Sequence, residues 1–389
     1  RLEDAVKVVS GIPFGGTDCA LPMVYATEKG MAVDAFLVYC VDEETEILTA
    51  DGWRRHDAIA VGDEIYTLNH DYGMGEWQAL TAVNVFPPEP RRMLLMEGRG
   101  HSSLSTADHR WPVRHRGNAS WGRRWKTSET LNRVDYIQCA APDSGLSTQP
   151  KWSDAFVELI AWAWTEGSWN DCKALNIAQS HRSHPEYCDR IRWALHRHLG
   201  DPKMSLYPHR AVPAWRECVG SPPDMTYWYL NQKASEPFTE VLDGEKVVSR
   251  RWLRELTHAQ LELFIQVSMW ADGYVSRQRL AQAIPARAEA FAFACILAGR
   301  AVSYCAIDND HRSGGLEIGI LRRTQFSPLQ HAANKDNRPF RAEWIEHEGV
   351  IWCPTTPNGT WLARRNGSVY WTGNTDNETW AGTIHPAQA

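Results

Sequence analysis

Two segments of the chain share one construction. Leu159-Ile160-Ala161-Trp162-Ala163-Trp164-Thr165-Glu166-Gly167 and Ile265-Gln266-Val267-Ser268-Met269-Trp270-Ala271-Asp272-Gly273 are each an apolar run of helical length closed by an acid and a glycine. Thr257 with Gln260 ahead of the second forms a capping-box pattern, which starts a helix. Such self-similarity indicates an internal duplication of about 100 residues per unit. Pro185–Gly200 reads as a later helix of the first unit. Ala286–Gly299, with Phe291, Phe293 and Leu297, reads as its counterpart in the second.

The flanks are built differently. From Cys40 to about Ala141 the chain predicts short strands at Thr45–Leu48, Glu64–Leu68, Ala79–Val85 and Met93–Met96. Asp51-Gly52, Gly62-Asp63 and Pro87-Pro88 supply the turns between them. A polar stretch around Asp143-Ser144-Gly145 acts as a linker, and the β pattern returns from Glu343 to Asn374. An α/β body is therefore expected inside a mostly β one. Before Cys40, Gly15-Gly16-Thr17-Asp18 reads as a turn, Ala20–Lys29 as a helix closed by Gly30, and Val33–Tyr39 as a buried-type strand. Thr375–Ala389 is a short tail.

Composition narrows the function classes. The 389 residues suggest two or three domains. A net charge of −6 argues against a basic nucleic-acid coat. Two local basic groups stand out against it: Arg110, Arg114, Arg116, Arg123, Arg124 and Lys126, and a second one running from Arg182 to Arg216. Each reads either as a solvated face or as a phosphate-tracking surface. The nine cysteines include no CxxC pair, against a zinc ribbon and for a reduced, cytoplasmic setting. No apolar run reaches ~18 residues, so no membrane partner is expected. The start at Arg1, without Met or a secretory leader pattern, suggests a piece of something larger.

Chemistry-bearing residues sit at the ends of the β body. Cys40 opens it, Thr106-Ala107-Asp108-His109 lies within it, and Gly373-Asn374-Thr375 closes it. With Thr45-Glu46-Ile47-Leu48-Thr49, Asp51-Gly52-Trp53 and Val61-Gly62-Asp63, these blocks fall in the order found in inteins, and the chain resembles that family from Cys40 to Asn374. The resemblance implies a Hint (horseshoe) β fold that excises itself without a cofactor, its substrates being its own flanking segments. A thiol attacks the Tyr39 carbonyl, turning an amide into a thioester. His109, with a side chain that titrates near neutrality, protonates the departing Cys40 nitrogen. Thr106 hydrogen-bonds and strains the Tyr39–Cys40 amide. The acyl group passes to the Thr375 hydroxyl, Asn374 cyclises to a succinimide, and a shift to the Thr375 amine leaves a Tyr39–Thr375 bond.

Departures from the common intein pattern carry information. Gly373 stands where many members have His, and Asn358-Gly359-Thr360-Trp361 stands where another His is usual. The set Trp111, Cys353 and Thr372 resembles the signature of class 3 inteins, in which the internal Cys attacks the upstream junction directly. Cys40 and Cys353 are both left as first nucleophiles.

The duplicated segments resemble degenerate LAGLIDADG homing-endonuclease helices. That resemblance implies single-chain αββαββα units on a pseudo-two-fold, double-stranded DNA as partner, and Glu166 and Asp272 as catalytic acids holding Mg²⁺. Both motifs depart from the consensus, so activity is left open.

Joining Ala35-Phe36-Leu37-Val38-Tyr39 to Thr375-Asp376-Asn377 gives a strand ending in a polar loop. With Phe14–Pro22 this resembles the von Willebrand A-like domain of TROVE (Ro) RNA-binding proteins. It implies a Mg²⁺ site using Thr17 and Asp376, whose DxSxS loop is absent here, and RNA as partner of the spliced host. The expected organisation is host residues 1–39, splicing domain 40–150 and 340–374, endonuclease 151–339, and host residues 375–389. A host RNA-binding protein carrying the insert as passenger is the second reading. A Hint domain that cleaves without ligating is disfavoured by Asn374-Thr375.

Overall fold

A computed structural model of the chain describes residues 40–98, 100–116, 121–202, 213–220, 224–309, 312–329 and 340–374. Thr17, Thr375 and Asp376, and the expected helix and strand before Cys40, lie outside the described residues. The chain forms two compact units, one from residues up to Ser144 together with those from Arg323 onward, the other spanning Gly145–Arg322.

The first unit opens with β1 (Val41–Asp42), β2 (Glu46–Thr49), β3 (Gly52–Arg54), β4 (Glu64–Asn69), β5 (Met74–Ala79), β6 (Ala82–Phe86), β7 (Arg91–Gly98), β8 (His101–Thr106), β9 (Arg110–Arg116), β10 (Trp121–Thr127) and β11 (Asp135–Gln138). The second contains α1 (Asp154–Glu166), β12 (Gly167–Trp169), β13 (Leu175–Ser180), α2 (Pro185–Leu199), β14 (Trp215–Val219), β15 (Met225–Leu230), α3 (Gln232–Thr239), α4 (Arg250–Arg254), α5 (His258–Asp272), β16 (Gly273–Tyr274), β17 (Arg279–Gln282), α6 (Pro285–Leu297), β18 (Ala301–Asn309) and β19 (Arg312–Leu321). The chain then returns to the first with β20 (Gln325–Phe326), β21 (Arg341–His347), β22 (Ile351–Thr355), β23 (Thr360–Arg365) and β24 (Ser368–Gly373).

Among the described residues the first unit is mostly β, with a short 3-10 turn at His56–Ala58. One sheet runs β21-β7-β8-β1-β22-β6, a second β10-β9-β11-β20, and a third path β24-β23-β2-β4-β5 with β3 on β2. Alternation along the strands splits the interior in two. Val41 and Trp352 join Trp111, Trp361 and Tyr370 in the larger core, whereas Cys40, Ile351 and Cys353 join Met93, Leu95 and Leu104 in a smaller one. Asp42 is buried in an ion pair with Arg365 at 2.8 Å. Burial still raises its carboxyl above the usual range, although the guanidinium and the Thr45 hydroxyl pull the other way.

Two sequence expectations change here. Ala79–Val85 is not one strand. Leu80 N–H donates to the Asp63 carbonyl and Thr81 N–H to the Thr355 carbonyl, so the chain leaves the β4–β5 ladder and joins β22 as β6. The second crossing between units falls at Arg322/Arg323 rather than 339/340. β20 pairs with β11, Cys139 N–H donates to the Thr324 carbonyl, and Ser327 Oγ donates to the Arg133 carbonyl. Residues 323–327 are thereby tied to the β unit.

The second unit makes its duplication visible. Its sheets run β12-β13-β15-β14 and β16-β17-β19-β18, the same order twice. α1 and α5 lie side by side and parallel. Gln260 donates to Asp154 at 2.9 Å near their starts, and Trp164 donates to Ser268 at 2.9 Å near their ends. The capping box at Thr257 and Gln260 is formed. Each helix stops at a glycine, Gly167 or Gly273, and passes straight into a strand. A Cβ on Gly167 would meet the Ala163 carbonyl and one on Gly273 would sit 2.6 Å from the Met269 carbonyl, so neither junction admits a side chain.

Candidate functional sites

The β8–β9 loop reaches both ends of the β unit. On one side Cys40 N–H donates to Thr106 Oγ1 at 3.1 Å, and Thr106 N–H returns a bond to the Cys40 carbonyl at 3.0 Å. On the other side His109 Nε2 lies 2.5 Å from Thr372 Oγ1, two residues before Asn374. Trp111 packs edge-on against the His109 ring, with centroids 5.1 Å apart, and its indole N–H is anchored on Ser128 Oγ at 3.0 Å. Cys40, Thr106, His109, Trp111, Thr372 and Asn374 are all buried.

Register brings in the second thiol. Val41 pairs with Trp352 and Asp42 with Ile351, and extending this antiparallel register by one residue sets Cys40 opposite Cys353. Cys40 turns its N–H and carbonyl towards Thr106, which makes the Cys40–Cys353 position a non-hydrogen-bonded pair, the closer kind at about 4.5 Å between Cα atoms. Both thiols lie in the smaller core.

The downstream end is equally closed. Asn374 N–H donates to the Gly359 carbonyl at 2.9 Å, and the Trp361 indole donates to the Gly373 carbonyl at 3.2 Å. A Cβ at Gly373 would stand 2.5 Å from the Arg110 carbonyl and 2.8 Å from the Trp125 ring. No side chain therefore has room at this position.

In the second unit Glu166 and Asp272 end the parallel helices. Burial first, and Asp272 second, push the Glu166 carboxyl up to about 7. Three residues that spacing alone did not reveal complete the surroundings. Lys246 Nζ donates to the Gly167 carbonyl at 2.5 Å and the Thr165 carbonyl at 3.4 Å; burial and the Arg287 charge bring it down to about 8. Gln282 donates to Asp272, and Arg287 donates to the Trp164 carbonyl. Gln282 had a legible signal in the duplication itself: the β12–β13 and β16–β17 registers make Gln179 its counterpart. Among the described residues no three His, Cys, Asp or Glu side chains converge on one point. A hard divalent ion here would therefore rest on the two carboxylates plus oxygens from water or phosphate, a donor set that fits Mg²⁺.

The basic groups divide. Arg123 bonds to the Asp71 and Tyr72 carbonyls at 2.7 and 3.0 Å, and Arg110 covers Trp125 at 4.3 Å. Arg190 is held by Glu158 and Arg192 by Glu217. Arg216 lies over Tyr229, which stacks on Tyr227.

Residues 1–54 match the profile of the Ro60 vWA domain. No curated protein matches the chain. The solved structures it resembles are of two kinds. One is the AceL NrdHF class 3 split intein, in a glutathione-linked, splice-inactive variant: 14% identity over 26% of this chain and 63% of that one, TM-score 0.23. The chain thus spans under two thirds of that relative. A bacterial intein-like domain from Clostridium thermocellum is similar at 19% identity, covering 26% of this chain and 67% of its own, TM-score 0.22. The other kind is the homing endonuclease I-DmoI, in mesophilic variants: 12% identity, covering 44% of this chain and 84% of that one, TM-score 0.32.

Proposed function

We propose that residues 40–374 are a self-splicing intein that joins Tyr39 to Thr375, with a homing-endonuclease body carried inside it. The observation that carries this reading is the reach of one short segment, from the end of β8 into the loop after it, to both junctions: Thr106 holds the Cys40 backbone while His109 touches Thr372, two residues before Asn374. Splicing has to break both bonds, and this segment brings a group to each.

The chemistry follows from the contacts. The nitrogen that must leave at the upstream bond is that of Cys40, and Thr106 Oγ1 accepts its hydrogen. Pulling on this N–H lets the amide nitrogen pyramidalise, weakening its resonance with the Tyr39 carbonyl. Cys353, across the strand pair, attacks that carbonyl; His109, steadied by Trp111 and Thr372, supplies the proton to the departing nitrogen. The acyl group then passes to the Thr375 hydroxyl, and Asn374 cyclises. Burial of Cys40, Thr106, His109, Cys353 and Asn374 keeps water from intercepting the thioester.

In the inserted body, Glu166 and Asp272 would hold a divalent ion, which supplies activation of water and neutralisation of the scissile phosphate. Lys246 and Arg287 add positive charge beside them, and Gln282 orients Asp272. Double-stranded DNA is the partner of this body, and the Arg216–Tyr229–Tyr227 surface suits it. The match of residues 1–54 to the Ro60 vWA domain supports a host of that kind; RNA as the spliced protein's partner and a cytoplasmic home are further parts of this proposal.

The test is a pair of variants assayed for splicing and for thiol-induced cleavage at Tyr39. Cys353→Ala is expected to abolish both, while Cys40→Ala retains both. The reverse pattern removes Cys353 from the mechanism, and intact precursor from the unaltered chain under every condition rejects splicing altogether.

A further inference from the structure

Resting on the splicing reading, a question stays open in the chemistry above: what helps Asn374 cyclise when neither usual histidine is present. The closure forms a bond from Nδ2 to the residue's own main-chain carbon and breaks that carbon's bond to the Thr375 nitrogen. The nucleophile gives up a proton and the leaving nitrogen takes one, so no net proton is consumed. Side-chain amides are weak nucleophiles, so geometry has to supply much of the rate.

We infer that the Trp361 indole is a positioning residue for this step, clamping the Gly373–Asn374 peptide in the geometry from which Asn374 closes. Three observations support it. The peptide unit is held at both its polar atoms: its oxygen accepts from Trp361 Nε1 at 3.2 Å, and its N–H donates to the Gly359 carbonyl at 2.9 Å. The chain is also closely packed at Gly373, where even a Cβ would stand 2.5 Å from the Arg110 carbonyl and 2.8 Å from the Trp125 ring. The third is the state of the nucleophile. Asn374 is fully buried, and neither its Oδ1 nor its Nδ2 has a hydrogen-bond partner among the described residues.

A buried carboxamide left without partners is costly to maintain, and native proteins rarely do so without a use for it. Here nothing holds the amide away from the backbone carbon. With the incoming peptide plane fixed, only rotations about Asn374's own bonds remain before Nδ2 reaches its target. A histidine performs this service elsewhere through proton transfer. Trp361 cannot transfer a proton at neutral pH, so its contribution is orientation, and it leaves the upstream step untouched.

The experiment follows the branched ester and the released insert over time in the full chain. Trp361→Phe keeps a ring against Trp352, whose centroid lies 5.2 Å away, and removes only the N–H donor. Downstream release should slow about tenfold, equal to about 1.4 kcal/mol, while branched-ester formation changes less than twofold, so the branched species accumulates. Benzothienylalanine at position 361 has the indole shape with sulfur in place of N–H, and must give the same accumulation even where Phe perturbs the fold. Unchanged partition in the analogue, or equal slowing of both steps, overturns the inference and leaves Trp361 a packing residue. Absence of any cleavage by the unaltered chain overturns the splicing reading beneath it instead.

Discussion

The two units solve opposite problems with their polar residues. In the β unit the reactive groups come from positions far apart in the chain, Cys40, Thr106, His109, Cys353 and Asn374, and every one of them is buried. On the splicing reading the substrate is the chain itself, so the site can be sealed. In the inserted unit Glu166 and Asp272 come from equivalent ends of duplicated helices, the first half-buried and the second exposed, with Lys246, Arg287 and Gln282 around them. On the endonuclease reading that site has to admit a ligand from outside, which a charged and open site allows. A sealed site depends on exact placement; an open one depends on electrostatics.

The largest effect that separates them is expected from Asn374→Ala. Loss of a nucleophile costs on the order of a millionfold, so release of the downstream segment should vanish while upstream cleavage persists and DNA cleavage by the inserted unit is unchanged. Mass spectrometry of the chain together with a plasmid assay reads all three. Next comes His109→Ala, which should slow the upstream step roughly a hundredfold to ten thousandfold, the range for a general acid, again without effect on DNA. Gln282→Leu probes the other site. Removing a side chain that orients a metal-holding carboxylate typically costs about 10–100-fold, so Mg²⁺-dependent nicking of an intein-less host gene should fall by that factor while splicing proceeds unchanged. Equal loss of both activities in any of these variants would mean the two units do not work independently.

Acidity should separate them more gently. His101 in the β unit is fully buried, bonded to Ser103 at 2.8 Å, and brought down to about 3 by burial and by the Arg365 and Arg323 charges. Its unfolded value is near 6.5, so between the two the unfolded chain binds the extra proton and this unit loses stability as pH falls below 6.5. Glu166 works the other way. The folded carboxyl keeps its proton up to about 7 whereas the unfolded one releases it near 4.5, so the inserted unit loses stability as pH rises through that window. Hydrogen exchange resolved by unit in EDTA, on the Asn374→Ala chain, should give slopes of opposite sign; His101→Gln should flatten the first and Glu166→Gln the second. The smallest effect is local. Thr257→Ala removes the capping box of α5 and should cost about 1 kcal/mol, seen as faster exchange in that helix alone.

Much of this was legible in residue types. The acid–glycine endings of Leu159–Gly167 and Ile265–Gly273 predicted helix ends, and the structure adds the reason: a Cβ at either glycine would strike the last turn. The spans Pro185–Gly200 and Ala286–Gly299 match α2 and α6 to within a residue or two. The break at Leu80–Thr81 was not legible, because apolar alternation is the same whether a strand stays in its sheet or crosses to another. Lys246 was hidden for a similar reason. It lies in a turn after Asp243, with no spacing relation to the acids it sits beside.

The sequence by itself determined which chemistry is available: two thiols, a histidine in a Thr-x-x-His block, a terminal asparagine, and paired acids on duplicated helices. Which of these groups meet was decided only in three dimensions. Strand order places β1 between β8 and β22, and that order alone sets Cys40 against Thr106 on one side and Cys353 on the other. The physical reason is that local patterns specify which face of a strand is buried, whereas neighbours in a sheet are chosen by long-range pairing. Such pairing depends on how the whole core packs, and no short stretch of chain encodes it.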